Sequence, residues 1–367
     1  MQSFSSSKQL VFIALVGVVL HASVTAATID RQKAKPDADG KTLWYDCQDI
    51  GVRGKGWVET NTPYSRLPAK AQDLVSQPDW DLSHLSAGLQ VRFSTASNVI
   101  HVRWGLIHRD LGMPHMPPTG VSGIDLYAKD KAGRWQFVAN GRPTGVTNSV
   151  VLPGSPSHEF LLYLPLYNGV SSIEIGIPSD QKISVPDRPD TRGKPIVWYG
   201  HSITQGACAS RPGMACTNML GRRLNREIVN LGFSGSGVMD AQISTVIAEL
   251  DASVFVLDCM ANMRTEDISV RVKPFIKMLR ATHPQTPILI VEEYHFANLQ
   301  TFKGDLLRKE FDEIKAAGDP NLYWLDAHGV LGDDGDGTVD GVHPNDLGMA
   351  RQADAFGRAL LEILKID

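Results

Sequence analysis

A few side chains in the second half of the sequence have the types and the order that acyl transfer needs. They are Ser202 in "PIVWYGHSITQGA", Asn262 in "DCMANM", and Asp340 with His343 in "DGDGTVDGVHPND". A serine hydroxyl attacks a carbonyl only when a base removes its proton, and His343 is the candidate base. Asp340, three residues earlier, can hold the imidazole in the right tautomer and balance its charge. The oxyanion that forms needs preorganised donors: the Ser202 N–H, the N–H of a flexible glycine such as Gly235 in "NLGFSGSG", and the Asn262 amide. Each residue also has an ordinary reading. Serine caps helices, glycine serves any tight turn, and His-Pro marks a helix boundary.

What lifts the chemical reading is where these residues fall. From residue 193 onward, the apolar runs "IVWY" (196–199), "EIVNL" (227–231), "VFVLDC" (254–259), "ILIVEE" (288–293) and "LYWLDA" (322–327) alternate with helical patterns. Those helices are expected at 215–226, 238–250, 267–282, 300–317 and 346–364. Strand–helix alternation implies a parallel sheet covered on both faces, with ligands beyond the carboxyl ends of its strands. Ser202, Gly235, Asn262 and the Asp340–His343 pair all follow such ends.

Residues 40–185 are built differently. The segments 89–95, 99–106, 123–129, 134–139, 158–166 and 171–178 alternate apolar and polar residues between short turns, which reads as an antiparallel β-sandwich. The Pro- and charge-rich "SVPDRPDTRGKP" is the expected linker. Within the sandwich region, "HRDLGMPHMPPTGVSG" (108–123) is long for a connection. It is expected either to fold over the active-site rim, with His115 or Met116 shaping a substrate pocket, or to pack between the domains. His201, beside the serine, is a further pocket candidate.

The chain has 367 residues, 43% hydrophobic and 21% charged, with a net charge of −4. No basic excess argues for nucleic acid or an anionic membrane surface. Lys8, the apolar stretch Leu10–Leu20 and small residues at Val24 and Ala26 read as a cleaved secretory signal over residues 1–26, with export to the periplasm or medium and no stable membrane insertion afterwards. Export permits disulfides. The four cysteines can pair in three ways, with Cys208 and Cys216 the natural local pair and Cys259 a buried thiol. No Cys/His cluster suggests a metal site, and the acidic "DDGDGTVD" lacks the ligand spacing of an EF-hand. No cofactor is expected.

These residues also carry a resemblance to the SGNH hydrolases, a branch of the GDSL esterases. "GHSIT" stands where that family has its Gly-Asp-Ser-Leu block, "NLGFSG" resembles the block that supplies the oxyanion glycine (Gly235), "MAN" the block ending in the catalytic Asn, and "DGVHP" the Asp-x-x-His block. Two departures stand out: His201 replaces the Asp of the first block, and "DCMANM" lacks the Gly-x-Asn-Asp form. Upstream, "SGIDLYAKD" resembles the signature of the β-rich GxDLY domain that precedes some bacterial SGNH hydrolases. The resemblance implies an all-β, jelly-roll-like sandwich at 40–185, then a flavodoxin-like α/β/α domain at 193–367 that hydrolyses esters without a metal, commonly removing acetyl groups from carbohydrates. A lipid esterase or lysophospholipase is the first alternative, although no apolar lid helix is evident. A carbohydrate-binding protein with an inactive hydrolase domain is the second, with Trp104, Trp135, Tyr163 and Tyr167 as possible sugar platforms.

Overall fold

The computed structural model describes residues 27–155, 158–186, 193–295 and 301–366. The expected signal segment and residues 187–192 of the expected linker lie outside these.

The N-terminal part is two antiparallel sheets face to face. One runs in the order Ala27–Thr28, Ile183–Val185, Gln90–Thr95, Glu159–Tyr163, Ile124–Lys129, Trp135–Gly141, with Val52–Arg53 also on Gln90–Thr95. The other runs Lys35–Pro36, Thr42–Asp46, Val170–Pro178, Val99–Leu106, Thr147–Pro153. Alternation does what the sequence pattern requires. Along Val99–Leu106 the residues Ile100, Val102, Trp104 and Leu106 turn inward and the others outward. They meet Val91, Phe93, Leu126, Phe160 and Leu162 from the opposite sheet in one core. Thr147–Pro153 was not anticipated as a strand. It is a sheet edge with only Asn148 and Leu152 buried, so its apolar signal is weak.

The C-terminal part has five parallel strands: β1 (Ile196–Gly200), β2 (Ile228–Gly232), β3 (Val254–Asp258), β4 (Ile288–Val291) and β5 (Leu322–Leu325). Their order is β2-β1-β3-β4-β5, the doubly wound arrangement with its switch point between β1 and β3. Every residue of β1 to β4 is buried, because helices cover both faces. Tyr199, Leu231, Phe255 and Phe275 belong to the core on one face, and Trp198, Met349 and Phe356 to the core on the other. Burying each such large side chain contributes roughly 1.5–3 kcal/mol before the entropy of ordering it.

Register decides where the chemistry can sit. Gly200 pairs with Gly232 on one side and with Asp258 on the other, so β1, β2 and β3 end level. The residues that follow, Ser202, Ser234–Gly235 and Cys259–Asn262, therefore leave the sheet along one rim.

Both cores recruit residues from the sandwich part. Leu67, Ala71 and Trp80 join one, and Ala87, Met116, Val121 and Leu166 join the other. Arg66, only 1% exposed, crosses between them. Its guanidinium donates to the carbonyls of Leu82, Leu85, Asn230 and Gly232 and lies over Phe233. A buried cation is tolerated when its donors are this fully engaged. Among the described residues, no helix is long and apolar enough to cross a membrane.

Candidate active site

Ser202 is the first residue of the short helix Ser202–Gln205 that opens directly after β1. The turn is fixed from several sides. The Ser202 carbonyl accepts from the N–H of Gly206 and Ala207 and from the Tyr167 hydroxyl. His201 caps the helix by accepting the Ile203 N–H on Nδ1 at 3.2 Å. With Nδ1 an acceptor, Nε2 carries the proton of the neutral ring, and it faces Asp258 Oδ1 at 3.4 Å. Asp258 Oδ2 in turn accepts from Thr204 Oγ1 and from Tyr294 Oη.

Across the rim, Ser202 Oγ lies 2.9 Å from His343 Nε2, and His343 Nδ1 lies 2.7 Å from Asp340 Oδ2. The Asp340 carboxylate also accepts the backbone N–H groups of Val342 and His343. Desolvation works to raise its pKa, but the hydrogen bonds from His343 and the two backbone groups outweigh it and hold the carboxyl at about 2. The carboxylate is therefore charged throughout the neutral range. Serine, histidine and aspartate form one unbroken hydrogen-bonded line.

Donors face the same place. The first N–H groups of a helix have no intrahelical partner; Ile203 N is taken by His201, and Ser202 N stays open among the described residues. The two donors beside the Asn262 amide, Gly235 N and Ser236 N, assign its near atom as Oδ1, accepting at 3.1 and 3.2 Å. Its Nδ2 is then the end left to donate. Gly235 has φ of +73°, a conformation that a side chain would strain. The structure thus brings Gly235 and Asn262 together, with the glycine N–H directed at the amide oxygen.

The sequence comparisons fit this architecture. Residues 193–361 match the GDSL-like Lipase/Acylhydrolase family, and residues 42–183 match the N-terminus of Esterase_SGNH_hydro-type, the GxDLY region. A crystal structure described as a GDSL-like lipase from Bacteroides ovatus ATCC 8483 is 34% identical, with a TM-score of 0.82 over 89% of this chain and 99% of that one. The chain belongs to the GDSL-like lipase/acylhydrolase family. It is an SGNH-type ester hydrolase. At lower identity the fold is shared with the salicylyl-acyltransferase SsfX3 from a tetracycline biosynthetic pathway (18%, TM-score 0.69, 91% of this chain and 98% of that one). It is also shared with a family two carbohydrate esterase from Clostridium thermocellum, solved in complex with cellohexaose (13%, TM-score 0.55, 76% and 93%). No curated protein sequence matched.

Within this hydrolase the sandwich part reaches the site through two features. The 108–122 loop is clamped at its base by buried Asn168, whose side chain bonds His108 N and O and the Ser122 hydroxyl. At its tip Met113 and Met116 pair through two backbone hydrogen bonds, and the turn between them presents His115, its ring centroid 6.0 Å from that of His343. The second feature is the GxDLY motif. A Cβ on Gly123 would stand 2.4 Å from Thr119 O, so only glycine fits. Asp125, fully buried, accepts from Gly213 N and Arg211 Nη1, and Tyr127 Oη accepts from the same Arg211.

Three expectations are corrected. His201 is 1% exposed and lies under the rim as a helix cap with its Nε2 facing Asp258, so it cannot line a pocket surface. Met116, 2% exposed, is core, packed with Ile203 and Ala209 among others. Cys208 and Cys216 are both free thiols. Their thiols face different surroundings: Cys208 senses Asp340, whereas Cys216 opens a helix and senses Asp258, Arg223 and Asp354. Burial pushes the Cys208 thiol up to about 12 and that of Cys216 well above its ordinary value. Asp258, Thr204, Tyr294 and Asn168 went unnoticed in the sequence, because nothing in spacing or pattern marks such long-range partners, and Tyr167, weighed there as a sugar platform, instead donates to the Ser202 carbonyl.

Proposed function

We propose that the chain is an exported serine esterase that removes acetyl groups from acylated carbohydrates, with Ser202 as nucleophile, His343 as general base and then acid, and Asp340 as the group that orients and balances His343. The observation that carries this reading is the continuous line Ser202 Oγ–His343 Nε2–Asp340, at 2.9 and 2.7 Å. Bonds of that length are already within the range of a working proton transfer.

In the first half-reaction, Ser202 Oγ forms a bond to the ester carbonyl carbon while its proton passes to His343 Nε2. The carbonyl electrons move to oxygen, and Ser202 N–H and Asn262 Nδ2 receive the charge, with Gly235 and Ser236 N–H holding the amide in place. Collapse expels the sugar oxygen, which takes the proton from His343 and leaves an acyl-enzyme. In the second half, water gives its proton to His343 and its oxygen to the acyl carbon; release of acetate returns the proton to Ser202.

His115 would contact the alcohol portion. It is exposed at the tip of an anchored turn beside the imidazole that protonates the leaving oxygen, so its ring nitrogens can reach sugar hydroxyls on that side. The carbohydrate assignment draws support from the fold shared with family two carbohydrate esterases, and export from the expected signal segment. The test compares p-nitrophenyl acetate, butyrate and octanoate with acetylated oligosaccharides, for the wild type and Ser202→Ala. Serine-dependent turnover confined to acetyl esters, with deacetylation of the saccharide, is the expected result. A preference for octanoate would move the protein to the lipid esterases, and saccharide binding without serine-dependent turnover to a binding role.

A further inference from the structure

The loop carrying Asp340 and His343 leads without interruption into the last helix, Asp346–Leu364, whose N-cap is Asn345. Asp346 is three residues beyond His343, and its carboxylate faces back across the site. Oδ1 accepts the Ser210 N–H at 2.8 Å, and Oδ2 the Ser210 hydroxyl at 2.5 Å. Ser210 belongs to the segment after the nucleophile helix, and the sandwich part holds that segment. Thr119 Oγ1 donates to Ser210 O at 2.6 Å, and Ala209 O lies so close to Gly120 that a Cβ there would be 2.2 Å away. Next along the segment, Asp125 of the GxDLY motif holds Arg211 and Gly213, as described above. A single line of contacts thus runs from the sandwich, through residues 209–213, to the residue that starts the helix behind His343.

We infer that Ser210 and Asp346 are positioning residues for His343, anchored from the sandwich by Asp125 and Thr119, so that the N-terminal region sets the reach of the acid–base group and not merely the shape of the cleft. This rests on the reading of His343 as the general base. The physical reason is a difference in support. His343 and Asp340 sit on an exposed turn that satisfies its own polar groups locally, through Asp340 to Val342 N and His343 N, and Thr338 to Gly341 N. Such a turn fixes its internal shape but not its distance from Ser202. A two-pronged carboxylate–serine contact beside it does, and a displacement of about 1 Å at a reacting group can cost about a hundredfold in rate.

The test uses the full chain with Ser210→Ala, Asp346→Asn and Asp125→Asn, measured on p-nitrophenyl acetate across pH, with thermal melting and the labelling rate by a fluorophosphonate that reacts at the serine. The expected result is a fall of about 10–100-fold in kcat with KM within about twofold of the wild type, a displaced acid limb in the kcat–pH profile, and a parallel fall in labelling. Ser210→Thr, which keeps both donors, should restore most of the activity. Asp125→Asn combined with Asp346→Asn should lose little more than the worse single variant, because both break one line. Wild-type kcat and pH limb in Ser210→Ala, with only the melting temperature lowered, would overturn the inference. If Asp125→Asn does not fold, Ser210→Ala decides, since it removes a single half-buried hydroxyl and leaves the Ser210 N–H on Asp346. Esterase activity that survives Ser202→Ala would instead sink the catalytic reading itself, a different failure.

Discussion

The turn that carries Ser202 and the loop that carries Asp340 and His343 face each other across one hydrogen bond, yet they are held by different means. The serine turn is 8% exposed at Ser202 and grows from an interior strand of a buried parallel sheet. Its support is a buried polar network of His201, Thr204, Asp258 and Tyr294, joined by the half-buried Tyr167. The acid–base loop follows β5 at the edge of the sheet, and the Asp340 side chain is 42% exposed. Its support comes from local turns, from the bidentate Arg351–Asp334 pair, and from Ser210. The proposed nucleophile is thus placed by the stability of the core, whereas the proposed base is placed by contacts nearer the surface. The two halves should respond differently to equivalent damage.

The largest effect belongs to the atom that both halves share. Ser202→Ala should lower kcat by about 10⁴-fold or more while leaving the melting curve near that of the wild type, since the one side-chain hydrogen bond lost is to a half-exposed histidine. Asp340→Asn comes next, with a loss of about 10³–10⁴-fold in kcat and little change in urea stability, because a half-exposed carboxylate is well solvated in either state. The pH dependence sharpens this. The Asp340 folded-state pKa lies near 2, below its ordinary value near 4. Its ionised form therefore favours the folded state above about pH 4, and that contribution disappears as pH falls through 2. Between pH 5 and 9 Asp340 stays charged, so it contributes no proton to an acid limb in kcat there, and His115→Ala should leave a limb with the slope of one proton. A two-proton slope in that variant would contradict the arrangement.

Asp258→Asn tests the other half. Here the carboxylate is buried and has three partners, so removing its charge should cost about 2–4 kcal/mol in urea unfolding and should also reduce kcat by disturbing the His201 cap. Stability and activity falling together at Asp258, but separately at Asp340, is the contrast that the geometry requires. Equal stability losses at both positions would remove it. Asn262→Ala lies between these cases, with about 10²–10³-fold lost in kcat.

The same contrast explains what could be read from the sequence. Ser202, Asn262 and the Asp340–His343 pair were legible because strand ends are legible: apolar runs stop, and the level register of β1, β2 and β3 turns that stop into a shared rim. The parallel sheet and the inward alternation of strands such as Val99–Leu106 were visible for the same reason. What supports the site was not. Tyr167 is 35 positions from Ser202, and Asn168 is 60 from His108; such partners arise only when the chain folds back, and no local period encodes them. His201 looked like a rim residue because it precedes the serine, but the strand-to-helix turn points it inward. The GxDLY motif was recognisable as a signature, while its task, holding residues 211–213 of the other part, depends on contacts across 84 to 88 positions.

The cysteines are where sequence proximity misled most directly, and they give the smallest expected effect. Cys208 and Cys216 are eight positions apart in an expected exported chain, but one sits at φ +67° in a loop near Asp340 and the other faces the core from the start of a helix. Neither thiol is paired, and the segment 209–213 between them is held instead by hydrogen bonds to Asp125 and Thr119. Titration with a thiol reagent should therefore find almost no reactive cysteine in the folded protein, because burial keeps the thiols protonated. In urea, Cys47, Cys208, Cys216 and Cys259 should all react without prior reduction, and esterase activity should be unchanged by dithiothreitol. A reductant-dependent gain of two thiols, with loss of activity, would mean that the segment between the two parts is held covalently and that its hydrogen bonds to the sandwich are secondary.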